Sequence, residues 1–385
     1  MRQTLILICC AAIVALSPLV AAPAASQQEQ ELPSEWTLCI NEGKVYPPDI
    51  AADGCTAVIR SGNRMPRELA VAFTNRGLAY RALGDIDRAL ADYDSAIKLD
   101  PSYAIAFNNR GAARRDRGEY DRAIADYTEA IRIDPRNAAV LTNRGAAWRD
   151  KGDLDRAIAD YDEAIRVNPK YATAFTNRGN AYREKGDIDR AAADYSAAIE
   201  VDPTNAIAFN NRGAAYLVKG DFEHALVYYS EAIRLDPSYA LAFNNRGMVW
   251  RDKGDLDLAV ADFGEAIKLN PRFGAAMVNR ANAWRDKGEF DRALADYGDA
   301  ITLNPRNTFA LSSRGLARLR RGELDGSIAD FDAALGLNPK LADSLYGRGI
   351  AKRKKGDPVG ADADLAAAKA IRPGIAQEFA LSEIE

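Results

Sequence analysis

"AVAFTNRGLAYRALGDIDRALADYDSAIKLDPSY" (residues 70–103) carries two apolar stripes, parted by one glycine and closed by one proline. Ala70, Phe73, Gly77 and Tyr80 recur at three- and four-residue steps, the spacing that aligns side chains on one helical face. Leu83 precedes Gly84, placed where a helix ends in a left-handed C-cap, a conformation that a residue without Cβ adopts freely. Asp85 and Asp87 follow, suited to cap a second helix and to lie at its positive end. Its stripe is Ala89, Tyr93, Ala96 and Ile97, and Asp100-Pro101 stops it. The stretch predicts two antiparallel helices whose stripes stay unburied unless further pairs stack on them.

Those further pairs are in the sequence. Pro101, Pro135, Pro169, Pro203, Pro237, Pro271, Pro305, Pro339 and Pro373 stand 34 residues apart without an insertion. An arginine ladder from Arg76 to Arg348 and a glycine ladder from Gly84 to Gly356 keep the same step. Self-similarity at one fixed period is the mark of a repeat architecture.

The unit resembles the tetratricopeptide repeat. That signature has a large residue at position four, Gly or Ala at eight, Tyr at eleven and Ala at twenty. An aromatic at twenty-four, Ala at twenty-seven and Pro at thirty-two complete it. Here these are Phe73, Gly77, Tyr80, Ala89, Tyr93, Ala96 and Pro101. The resemblance implies an all-α, right-handed superhelical solenoid of stacked antiparallel helix pairs. Eight full repeats span 70–341, a degenerate ninth spans 342–375, and 376–385 reads as a capping helix with Phe379 at position four. In the ninth, Pro358, Gly360 and Leu365 replace apolar, basic and aromatic residues.

Residues 36–69 align as a degenerate N-terminal repeat, with Cys39 at position eight and Cys55 at position twenty-four. The resemblance places these positions opposite each other across the two helices, so a Cys39–Cys55 disulfide is expected, with two buried free thiols as the alternative. Upstream, "MRQTLILICCAAIVALSPLVAAPAAS" has the order of a signal peptide (1–25), followed by a polar linker (26–35). An uncleaved membrane anchor is the rival, and Pro18 and Pro23 speak against it. A cleaved signal implies a periplasmic or secreted protein with no membrane span left.

The formal charge of −4 lacks the clustered basic excess of nucleic-acid binders. One histidine, His224, removes most metal sites and most imidazole chemistry. The repeats leave no phosphate loop and no nucleophile–base pair, so no catalytic, cofactor or metal residue is assigned and an enzyme is not expected.

Two rows stand out inside the first helices. Position six holds Asn75, Asn109, Asn143, Asn177, Asn211, Asn245 and Asn279, and position five holds Asn108, Asn210 and Asn244 among threonines. The resemblance puts positions two, five, six, nine, twelve and thirteen on the concave face. There an amide, with both donor and acceptor, can hold the backbone of an extended protein or peptide partner. Inter-helix bonding is the alternative use. Position seven is arginine in all nine units, where the family more often has leucine, and position twenty-three is mostly aspartate. Arg110 with Asp126, Arg144 with Asp160 and Arg178 with Asp194 read as internal ion pairs, the rival being a row of cations for an anionic ligand. Repeat five has Tyr228 at position twenty-three, so Arg212, or Arg246 if pairing runs between repeats, is expected to lack its acid. The same repeat puts Leu217 and Val218 at groove positions where its neighbours have charges. The lysines with which chaperone-docking members of the family clamp a terminal carboxylate are missing from the groove positions. The expected function is a binding scaffold, with an envelope component using the outer helix faces as the alternative.

Overall fold

The computed structural model describes residues 34–381. The expected signal peptide, most of the linker and the last four residues lie outside the described residues. Within them the chain forms twenty-one α-helices and one short 3-10 turn, with no strand. Each helix packs on the next in chain order, and first helices of neighbouring repeats also touch, which is the contact pattern of a solenoid.

The local signals act as the sequence implies. In repeat three, Ala138–Asp150 gives way to Leu154–Val167 through Gly152, whose φ of 92° is left-handed. Asp153 caps the second helix by accepting the Arg156 backbone N–H. The helices meet closely at Gly145, where a Cβ would lie 2.7 Å from Cε1 of Tyr161. Tyr161 is fully buried beneath it, flanked by the fully buried Ala157 and Ala164. Burying such an aromatic contributes about 1.5–3 kcal/mol, repeated unit by unit.

The Tyr161 hydroxyl is buried without a hydrogen-bond partner, whereas the Tyr297 hydroxyl donates to Asn282 Oδ1 at 2.5 Å. Repeats six and eight use Phe263 and Phe331 at the same place, both fully buried. Tyr161→Phe is therefore expected to be neutral or to stabilise by up to about 1 kcal/mol, since it removes an orphaned polar group. Tyr297→Phe leaves the Asn282 side chain, 4% exposed, without its donor and should cost about 1–2 kcal/mol. Urea midpoints of the two variants check the opposite signs.

The ends depart from the repeat. The N-terminal unit has a first helix of six residues, Glu35–Ile40, stopped by Asn41 at φ 45°. The Asn41 side chain then bonds both the N–H and the carbonyl of Tyr46, fixing the loop. Cys39 and Cys55 are joined by a disulfide across this shortened pair, and both are buried. The degraded ninth repeat still forms both helices, because Pro358 falls in the first turn of Pro358–Ile371, where no N–H is needed. Ile375 and Phe379 of the last helix are buried at 0% and 5%, and Phe379 packs on Tyr346 with ring centroids 4.7 Å apart.

Candidate functional site

Each first helix presents two differently used flanks. On one flank the position-seven arginines meet the position-twenty-three aspartates of their own repeat. Arg144 donates from Nε and Nη2 to the two Asp160 oxygens at 2.8 and 2.7 Å. Arg178 does the same to Asp194 at 2.9 and 2.6 Å, and Arg110 to Asp126 at distances of 2.6 to 3.2 Å. The aspartates are buried, Asp126 at 3% and Asp160 at 7%. The fork of the guanidinium satisfies both carboxylate oxygens at once, which offsets the cost of burying them. The hydrogen bond to Asp194 outweighs desolvation and raises the Arg178 pKa above its ordinary value. The remaining arm joins repeats: Arg178 Nη1 reaches Asp162 and Arg110 Nη1 reaches Asp94 of the preceding unit, each at 2.6 Å.

Pairing within the repeat settles which arginine loses its acid. Arg212 lies over the Tyr228 ring, 4.4 Å from its centroid, and its buried Nε has no hydrogen-bond partner. Tyr216 stacks between Tyr228 and His224, with centroids 5.3 and 5.0 Å away.

Sequence reasoning missed three further rows. Where position eleven is not aromatic, its cation joins the same aspartate: Arg114 to Asp126, Arg318 to Asp330 and Lys352 to Asp364. Where it is aromatic and position nineteen is arginine, that arginine covers it, as Arg156 covers Trp148 at 4.7 Å and Arg190 covers Tyr182 at 4.4 Å. Along the loops, a cation at position fourteen pairs with an acid of the preceding repeat, as in Lys151–Asp121 and Lys185–Asp155. The 30-residue offset of these partners was legible as a spacing, but only folding brings them together.

The other flank carries the asparagines, and the structure divides them. Asn143, Asn245 and Asn279 donate to the position-five carbonyls of Asn108, Asn210 and Asn244 at 2.9, 3.0 and 2.9 Å. Asn211 donates instead to Asn180 at 3.2 Å. Asn210 and Asn244 are buried at 2% and 5%. The expectation that Asn108, Asn210 and Asn244 reach a partner is therefore corrected: these amides form the joint between adjacent first helices. Two of the position-five threonines turn their hydroxyls to their own helix, Thr142 to Ala138 O and Thr176 to Ala172 O, whereas the buried Thr74 hydroxyl has no partner. The next asparagine after Thr142, Asn177, then has no side-chain hydrogen bond among the described residues, and neither has Asn75. Asn109 accepts from Asn108 and keeps its NH2 free.

Position twelve adds a second ladder on this flank. Arg81 pairs with Asp116 and Arg115 with Asp150 of the next repeat, each at 2.6 Å, while Arg149 lies 3.4 Å from its own neighbour Asp150 and 3.8 Å from Glu184 of the next repeat. At the N-terminal end, Asn75, Leu78, Arg81 and Asp116 line one cavity of about 910 Å³ with Tyr46 and Pro47 of the shortened unit. Positions six, nine, twelve and thirteen therefore share a concavity. Among the described residues no helix is long and apolar enough to cross a membrane.

Family models described as tetratricopeptide repeat match residues 74–138, 244–308 and 312–374, and 206–239. A model described as TPR repeat matches 145–182 and 179–220. Among solved structures, a tetratricopeptide repeat protein from Parabacteroides merdae is 19% identical, with a TM-score of 0.51 over 64% of this chain and 98% of that one. In the structure of the APC/C hetero-tetramer Cut9–Hcn1, the matched chain is 16% identical, with a TM-score of 0.53 over 87% of this chain and 83% of that chain. YrrB, described as a TPR protein with an unusual peptide-binding site, is 28% identical over 50% of this chain and 97% of its own, with a TM-score of 0.38. The comparison with curated proteins found no match.

Proposed function

The chain belongs to the tetratricopeptide repeat family, and on that premise we propose that it holds extended protein segments in its concave groove. Repeats of this family generally serve as non-catalytic interaction scaffolds, so the chain is read as a binding protein. One observation carries the groove reading. Apart from Arg212, the flank with the Arg–Asp pairs is chemically closed, whereas the groove flank keeps open amides at Asn75, Asn109 and Asn177. An unengaged amide can meet the N–H or the carbonyl of an extended backbone without selecting its sequence. We place the protein in an exported compartment, which the signal-like N-terminus and the Cys39–Cys55 bond support.

The competing use, an envelope component binding through its outer helix faces, is separated by site-specific photo-cross-linking. Benzoylphenylalanine is placed at Leu78 or Val218 in the groove, and at the exposed Ala159 or Ala193 on second helices. Cross-links to partner polypeptides are expected at Leu78 and Val218. Cross-links confined to Ala159 and Ala193 would move the function to the outer face.

A further inference from the structure

The inter-repeat ladder of position-twelve arginines and position-thirteen acids ends at repeat four; farther along, Arg251 and Arg285 pair with their own neighbours Asp252 and Asp286, which leaves Arg183 as the position-twelve arginine without an acid among the described residues. Two close rungs, Arg81–Asp116 and Arg115–Asp150, and a looser one, Arg149–Glu184 at 3.8 Å, join the groove between repeats one and four. The next rung would join Arg183 to residue 218, but that residue is Val218. The rung after it would join residue 217 to Asp252, but residue 217 is Leu217, and Asp252 pairs with its neighbour Arg251 at 3.3 Å.

Arg183 is thus left without a carboxylate among the described residues. The adjacent acid, Glu184, turns toward Arg149. Burial raises the phenol pKa values of Tyr195 and Tyr229, and the Arg183 guanidinium acts on both in the opposite sense, so the charge stands over the seam between repeats four and five. Beside it Val218 lines a hollow with Ile188 and with Lys185, Arg190 and Lys219, whose charges are already paired with Asp155, Asp187 and Asp189. Val218 is 65% exposed, and Leu217 packs on the core of Leu226, Tyr229 and Val249, which fixes its backbone in place. An uncompensated cation adjoining an aliphatic spot is complementary to an anion adjoining an aliphatic side chain.

We propose that the junction of repeats four and five is the selective point of the groove, taking a segment in which an Asp or Glu stands two residues from a Val, Leu or Ile. In an extended chain, residues i and i+2 share one face about 7 Å apart. Neighbouring first helices lie about 10 Å apart, and the long Arg183 side chain shortens the remaining span. The acid then takes the place that Asp150 occupies on Arg115, and the aliphatic side chain covers Val218. This inference rests on the groove reading and adds the chemistry of its ligand.

The test uses three fluorescein-labelled twelve-residue peptides in a Ser/Ala background, carrying Glu-Ser-Val, Gln-Ser-Val or Glu-Ser-Ser, titrated by anisotropy with the full chain. The Glu-Ser-Val peptide should bind about tenfold more tightly than either of the others. Arg183→Gln should abolish the Glu-over-Gln preference. Val218→Asp supplies the missing rung, so it should abolish the preference while leaving the melting temperature unchanged or higher. Equal affinities of the three peptides for the wild-type chain, failure of all three to bind, or a preference that survives Val218→Asp would each overturn the proposal. Equal affinities accompanied by cross-links at Val218 leave groove binding standing without this selectivity. Cross-links confined to Ala159 and Ala193 remove the groove reading itself.

Discussion

Asp126→Ala is expected to destabilise the array by about 3 kcal/mol, read as a lower urea midpoint with an unchanged slope. The Asp126 carboxylate is 3% exposed and receives Arg110 and, at 2.7 Å, Arg114. Deleting one partner of a buried pair costs about 3–5 kcal/mol, because the charge left behind is desolvated and uncompensated. The lower end applies here, since the Arg110 and Arg114 side chains keep 16% and 22% exposure and Arg110 retains Asp94. Asp160→Ala, which strands Arg144 alone, should cost about 2 kcal/mol. Replacing both partners, Arg144→Leu with Asp160→Tyr, should recover most of that loss, because no charge is then left unpaired. A cost below about 0.5 kcal/mol for Asp126→Ala would place the ladder among surface pairs and reopen its use for a ligand.

Alkaline melting is the second large effect, and it should fall between pH 10 and 12. Burial pushes the phenols of Tyr127, Tyr195 and Tyr297 up to about 12, from an ordinary 10.0. Burial raises Tyr93, Tyr161 and Tyr229 as well. A phenol whose pKa is higher in the folded chain favours folding fully below pH 10, where it is neutral in both states. That contribution is lost as the pH climbs toward the folded value, because the unfolded chain releases its proton first. A rise from 10.0 to about 12 corresponds to roughly 3 kcal/mol for each of the three, and repeats coupled only to their neighbours cannot absorb several such losses. Tyrosinate absorbance at 295 nm and helical ellipticity should therefore change together above pH 10. Full ionisation of the tyrosines with the helices intact would contradict it.

Much of this was legible residue by residue. Gly152 and Pro169 mark where helices end, because a left-handed φ and a missing N–H act on the chain locally. The match of Arg144 with Asp160, and its failure at Tyr228, could be read as two rows in step, since both partners belong to one unit. The asparagines could not be sorted that way. Asn143 and Asn177 occupy the same position in the same local sequence, yet one amide is engaged and the other open. What differs is the residue 35 places earlier, Asn108 or Thr142, on another helix.

The sequence by itself thus determined the period, the helix limits, the aromatic core and the ion pairs inside each repeat, because those depend on residues a turn or a hairpin apart. Only the tertiary structure decided which groups face a partner. Stacking sets position five of one repeat against position six of the next, and position twelve against position thirteen. These contacts between units engage Asn143 and Arg115 and leave Asn177 and Arg183 open.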